Sequence, residues 1–387
     1  MVFNMARNIY LDYAAATPLD PRVLRAMQPY FGKEFYNPSA TYLVARSVRQ
    51  ALEKARAQIA VRLGVRPAEV IFTAGATEAN NLAIQGLMKS YPDGEVLVSA
   101  IEHESVLAPA KLFKSKLMPV DKRGIVDLEK LEAMVNDQTV LVSVGLVNNE
   151  IGTIQPLGEI SQILNKLSKS RQTRGVKNPL YLHTDAAQAG NWLDLHVSRL
   201  GVDLLSLNGG KLYGPKQSGV LYVRAGVKLE PLVLGGGQEF GLRSGTENVP
   251  SAIGLATALC IAQKERRVQS EKITALREGF ESELSRRLPN TVINGQARHR
   301  APHILSVTFP GVDNERLMMQ LDEAGIQAAV GSACSASSDE PSHVLGAIGL
   351  SEAAARSTLR FSFGRSTTSM DIAKTIGRLA QFTDSTN

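Results

Sequence analysis

Six short apolar runs separated by helical patterns constrain this chain most: VIFT, EVLVSA, TVLVSVGLV, PLYLHTD, VDLLSL and GVLYV, all between about residues 20 and 255. Strands that read as continuous apolar runs are buried on both faces, and helices alternating with them are what cover a parallel sheet. The expected architecture is therefore α/β, with a large, mostly parallel sheet covered by helices on both faces. GVLYV follows the run before it closely, after YGPKQS, so an antiparallel hairpin is expected there. Pro250 opens a long helical pattern through LATALCIAQ and KERRVQSEKITALREGFESELSRRL, which Pro289 and Asn290 end. Beyond it lie the strand-like HILSVTFP and STLRFSF and the helical ERLMMQLDEAG and DIAKTIGRLAQFT, an α+β pattern. At 387 residues the chain exceeds one ordinary core. We expect a large domain over residues 20–255 and a smaller one formed by 1–19 with 256–387.

An apolar content of 44% with 21% charged residues is that of a soluble globular protein. The N-terminal MVFNMARNIYLDY has no apolar core of a signal segment, and stretches such as TVLVSVGLV are too short to cross a bilayer. A cytoplasmic protein without membrane association is expected. A formal charge of +6 could attract an acidic protein or RNA. The basic residues are spread out, however, and the densest groups, KERR at 264–267 and SRQTRGVK at 170–177, read as a solvated helix face and a polar loop. Without basic residues alternating with aromatics, no direct nucleic-acid contact is expected. The two cysteines, Cys260 and Cys334, lack the spacing of a zinc or dithiol site, so neither a metal site nor a disulfide framework is expected and a reducing compartment is. Cys260, in ATALCIAQ, reads as core.

Three strand ends carry chemistry. Lys211 closes VDLLSLNGGK with glycines around it, and an ammonium at a strand exit inside a pocket can lose its proton and attack carbonyls. PLYLHTDAAQ delivers Asp185 and Gln188 to another strand end, where ligands collect in open α/β sheets. EVIFT breaks into AGATEANNLAI, a small-residue turn opening a helix at Thr77. Together they offer an amine for a Schiff base, an acid for a pyridinium nitrogen and a cup for a phosphate, the equipment of a pyridoxal phosphate enzyme.

Each residue also has a plainer reading. Asp185 could be an ordinary strand-end cap, and Gln188 a surface polar residue. Thr77 could be a routine N-cap with Glu78 complementing the dipole. His103, in SAIEHESVL, could lie flat on a cofactor ring or move a proton near neutral pH as a catalytic group, or be a satisfied polar residue, and Asn149, in VNNEIG, could be a donor to the cofactor or a turn former. Cys334 lies in VGSACSASSDEPSHVL, which reads as a mobile loop exposing a nucleophilic thiol. Arg360 alternates with apolar neighbours in STLRFSFGR, where a substrate carboxylate or a buried ion pair would equally settle its charge.

Over nearly its whole length the chain resembles the cysteine desulfurases of the class V aminotransferase group. The likeness is carried by YLDYAAATP, NPSA, FTAGATEANNLAI, EHESVL, VNNEIGTIQP, HTDAAQ, KLYGPK, GGGQEFGLRSGTENV, GSACSASSDEPSHVLGAIGL and TLRFSFGRSTT. It implies fold type I, with a seven-stranded, mostly parallel sheet in the larger domain and the cysteine loop in the smaller α+β one. By the resemblance Lys211 is the Schiff-base lysine, Asp185 the pyridinium partner, and His103 the residue stacked on the ring. Gln188 and Asn149 would bind the ring oxygen, and Ala76 and Thr77 the phosphate. Thr246 would reach the phosphate from a neighbouring subunit, implying a homodimer. Asn37 and Arg360 would grip the carboxylate of L-cysteine, and Cys334 would take its sulfur as a persulfide while alanine leaves. A long cysteine loop is suited to handing sulfur to a protein acceptor or an iron–sulfur scaffold, for cluster assembly or tRNA thiolation. Two positions differ from the family pattern. Where it has Ser-x-His before the lysine, both on the phosphate, this chain has Asn208, Gly209 and Gly210; its histidine after NPS is Tyr42 here. The alternatives are a related lyase or aminotransferase, for which Cys334 would have no use, and a non-catalytic sulfur-pathway binding protein.

Overall fold

The computed structural model describes residues 8–331 and 340–384. Its largest sheet has seven strands, in the order Val70–Thr73, Gly219–Val223, Leu204–Asn208, Tyr181–Asp185, Thr139–Ser143, Glu95–Ser99 and Lys114–Met118. Five consecutive strands from Leu204–Asn208 to Lys114–Met118 are parallel. Gly219–Val223 is antiparallel to both neighbours, so the expected hairpin is present. The apolar runs are buried as their composition requires: every residue of Glu95–Ser99, Thr139–Ser143 and Gly219–Val223 is buried. Leu97, Val142, Leu182, Leu205 and Val220 pack into one core with helical Ile59, Leu63 and Ile160.

Lys114–Met118 was not expected as a strand. It is an edge strand whose first four residues are exposed, so its sequence KSKLM has no need of apolar residues. Lys116 pairs across to Glu95 at 2.7 Å. The segment 170–177, expected as a polar loop, is different too. Its first four residues finish the helix Leu157–Thr173, and the buried Arg171 donates to the carbonyls of Thr139, Asp137 and Asn178. Its guanidinium thus satisfies chain-end carbonyls, which a loop exposed to water would not need.

The long helix is Val249–Arg287, with Asn248 capping the Ser251 N–H. It packs on Leu43–Leu63 at one end and on Ser369–Asp384 at the other. Cys260 on this helix is half-buried, not core. A second sheet, antiparallel, has the order Thr358–Ser362, Ile304–Thr308 and Val292–Ile293. Phe280, Phe361, Phe363, Leu305 and Leu321 form its core. Near the N-terminus, Ile9–Tyr10 pairs in parallel with Ile326–Gln327. That pairing carries Asp12 to Arg360, and Ala14 and Ala15 to the mouth of the large sheet.

Candidate active site

Parallel strands end together, so Ser143, Asp185 and Asn208 come to one edge of the sheet. A pocket opens there, lined by Ala14, Thr77, Glu102, His103, Asn149, Asp185, Gln188, Lys211 and Arg360 among others. Beside it lies a second cup, formed by Ala74, Gly75, Ala76, Thr77, Asn208, Gly210, Lys211, Lys216 and Gln217. Lys211 and Thr77 belong to both.

The cup owes its shape to two glycines. Gly75 has φ of 154°, and a Cβ on Gly219 would stand 2.5 Å from the Gly75 carbonyl carbon. Only bare backbone can approach that closely, and the chain turns sharply from strand to helix. The helix Ala76–Asn81 starts one residue earlier than expected, and its cap position is Gly75, with no side-chain cap. Thr77 is therefore in the first turn and is not the N-cap. Glu78 folds back instead, accepting from the Ala74 N–H at 2.7 Å while Arg243 holds its other oxygen at 3.0 Å.

Lys211 lies in a short helical turn, Gly209–Lys211, and its Nζ donates to the Ala15 carbonyl. Asn208 ends the strand and accepts the Gly210 N–H at 3.0 Å, so its Oδ1 acts on the backbone of its own turn. Asp185 Oδ1 accepts from the Ala187 N–H and Oδ2 from Asn80 Nδ2, both at 2.8 Å. Gln188 spans the base of the pocket, donating to the Ala14 carbonyl at 2.9 Å and meeting His303 Nε2 at 3.1 Å. His103 lines the pocket and also caps the helix Glu104–Ala110, its Nδ1 accepting from the Ser105 N–H at 3.0 Å.

Arg360 takes the ion pair weighed above. Only 2% exposed, it reaches Asp12 Oδ1 at 2.6 Å and the Asn149 carbonyl at 3.1 Å, while its Nε has no partner among the described residues. Its place in the pocket lining leaves both readings compatible with one position. Two expected residues are not brought to the pocket within this chain. Asn37 is exposed, with its Oδ1 on the Ser39 N–H, and Thr246 is exposed as well. Cys334 lies outside the described residues.

Three residues of the site were missed from sequence: Lys216 and Glu102, which line it, and Asn80, which is buried behind it. Asn80 stands three positions after Thr77, so helical spacing alone puts both on one face. Lys216 passes over Gly210 and donates to the Thr17 carbonyl at 2.6 Å. Glu102, next to His103, is buried and accepts the Gly145 N–H at 2.7 Å. Burial above all, with the Asp185 charge acting in the same direction, pushes its carboxyl up to about 8 from an ordinary 4.5. Behind the strand ends, burial pushes His183 down to about 4, and His303 down to about 3.

Between those two values for Glu102 the folded state holds a proton that the unfolded chain has released. Folding stability therefore falls as pH rises from about 4.5 to about 8. Glu102→Gln keeps the acceptor for Gly145 and cannot ionise. Its melting temperature should exceed that of the wild type by about 5 °C or more at about pH 8.5, and by almost nothing at about pH 5. An equal difference at both would mean that Glu102 is ionised in the fold.

Gly210 offers a second test. Its φ is not in the positive region, and a Cβ there would stand 3.3 Å from Asn208 Oδ1 and 3.8 Å from Lys216 Cδ. A side chain is therefore admissible on the backbone, provided Asn208 gives by a few tenths of an ångström. Gly210→His should supply an extra donor to an anion in the cup, and slow the loss of a bound phosphate group on dialysis by roughly tenfold. Unchanged retention in a variant of undiminished melting temperature would mean that other groups hold the anion.

The family model described as aminotransferase class-V matches residues 9–374. A protein named cysteine desulfurase IscS from Dictyoglomus turgidum is 40% identical over 96% of this chain and 93% of its own length. Among solved structures, a NifS-like protein superimposes with a TM-score of 0.89 at 32% identity, covering 97% of this chain and 99% of that one. Another, SspA in complex with cysteine, has a TM-score of 0.78 at 36% identity, covering 92% and 98%.

Proposed function

The chain belongs to the class-V aminotransferase family, and from that premise we propose how its pocket removes sulfur from L-cysteine. It is a cysteine desulfurase dependent on pyridoxal phosphate. The observation that carries the assignment of roles is the meeting of Lys211, Asp185, His103 and Gln188 in one pocket that opens into the Gly75–Thr77 cup. The fit to the cofactor is chemical. A carboxylate held by two donors suits a pyridinium nitrogen, an amine beside it suits an aldehyde, and backbone N–H groups of a helix start beside Lys216 suit a phosphate.

Pyridoxal phosphate, when bound, supplies the electron sink that lets the substrate's Cα lose a proton. Lys211 Nζ would hold the cofactor and, as a free amine, would take that proton. Asp185 would keep the ring nitrogen protonated, and Asn80 hydrogen-bonds Asp185. Arg360 would hold the substrate carboxylate, a role its place in the pocket lining supports. Cys334, as the thiolate, attacks the substrate sulfur. The new S–S bond forms as the C–S bond breaks, the carbon takes up a proton, and alanine and a persulfide on Cys334 result. No outside oxidant is needed.

A homodimer completes this reading. Phe31, Phe35, Leu43 and Leu234 are 64%, 67%, 77% and 81% exposed, large apolar side chains that a second copy could cover. A second copy covering them would also give Thr246 and Asn37 a pocket to reach. The persulfide goes on to a protein acceptor or an iron–sulfur scaffold, in the cytoplasm, as the sparse cysteine content favours. The test is incubation of the protein with L-cysteine, followed by assay of alanine and mass analysis of Cys334. Equal alanine and persulfide in a single turnover are expected. Sulfide and pyruvate without a Cys334 adduct would replace this reading by that of a lyase.

A further inference from the structure

One buried side chain ties together two groups of the pocket. Asn80 is 0% exposed, and its Nδ2 donates to Asp185 Oδ2 at 2.8 Å and to Ser105 Oγ at 2.9 Å. Ser105 Oγ lies 2.8 Å from His103 Nδ1, which also receives the Ser105 backbone N–H. Counting donors settles the direction of the chain. A backbone N–H can only donate, so His103 Nδ1 is an acceptor and the ring proton is on Nε2. Ser105 Oγ accepts from Asn80 and so has its own proton to give to Nδ1. Both amide protons of Asn80 are then in use. Turning the amide over would set its oxygen against the Asp185 carboxylate, so its orientation is decided by that charge. The remaining Oδ1 is buried with no partner among the described residues. A fold does not leave a buried acceptor unsatisfied without some return elsewhere.

We propose that Asn80 is a positioning residue for the cofactor, its one amide orienting the Asp185 carboxylate and, through Ser105, the His103 ring. The proposal rests on the reading above, in which Asp185 meets the ring nitrogen and His103 the ring face. Asn80 itself touches neither cofactor nor substrate. Without its donation the Asp185 carboxylate would be a stronger base toward the ring nitrogen of a bound cofactor, and the visible absorption of that cofactor would titrate at higher pH.

The experiment is a pH titration of the visible absorption of the protein as purified with its cofactor, for wild type, Asn80→Ala and Ser105→Ala. Asn80→Ser, polar but too short to join both partners, serves if Asn80→Ala does not fold. The absorption midpoint should rise by about one pH unit in the Asn80 variants. Their cofactor dissociation constant should rise by roughly tenfold. In Ser105→Ala, which leaves the bond to Asp185 in place, the midpoint should move by much less. A residue that merely packs the helix would lower the melting temperature and leave the midpoint where it was; that result overturns the proposal. A wild type that binds no cofactor on Lys211 would instead overturn the reading on which it rests, and the proposal with it.

Discussion

Lys211→Ala should lose the visible absorption of the bound cofactor and at least three orders of magnitude in alanine release, since on the proposed reading the variant lacks both the covalent anchor and the base. The position of the residue is what makes the effect so large. It sits at the end of the short turn Gly209–Lys211, and lines both the pocket and the cup. No other lysine is placed to replace it. Lys216, the nearest alternative, lines the cup alone and donates to the Thr17 carbonyl. Loss of the amine leaves the Ala15 carbonyl without this donor, at the rim rather than in the core, so the melting temperature of the cofactor-free protein should fall by a few degrees at most. Borohydride reduction of the wild type followed by peptide mapping checks the assignment directly. A tag on Lys216, or on none, removes Lys211 from the mechanism.

Cys334→Ser should abolish sulfur transfer while leaving substrate binding intact. On the proposed reading binding uses Lys211 and Arg360, and neither needs a thiol, so L-cysteine should still perturb the cofactor spectrum. Serine cannot accept the sulfur, because its hydroxyl stays protonated near neutral pH where a thiol is partly ionised, and an O–S bond would be a poor substitute for the disulfide-like bond formed. Alanine release should fall to background within the first turnover. Undiminished release would show that sulfur leaves without a protein nucleophile, which is the behaviour of a lyase.

The large sheet was legible because its strands are buried on both faces, and burial on both faces imposes continuous apolar runs. The same logic explains the strand that was missed. Lys114–Met118 has one neighbour and four exposed residues, so KSKLM satisfies its surroundings without any periodic signal. Arg171 was misread for the opposite reason. In a stretch of basic and polar residues, nothing local distinguishes the one guanidinium that folds inward onto three carbonyls from those that face water.

Sequence alone determined the α/β class and the long Val249–Arg287 helix, and it put Lys211 and Asp185 at strand ends. Those are properties of residue type and local spacing: a run of apolar residues, a proline at a helix start, an amine or an acid at a strand end. Tertiary structure alone decided which groups act on which. It placed Asn80 on Asp185 and on the Ser105 that orients His103, raised the proton affinity of Glu102 by burying it, and paired Arg360 with Asp12 from the far end of the chain. Hydrogen-bond partners and desolvation depend on atoms brought together across 105 residues in one case and 348 in another. Distances of that kind in the chain carry no local pattern, and only the closed fold converts them into contacts of about 3 Å.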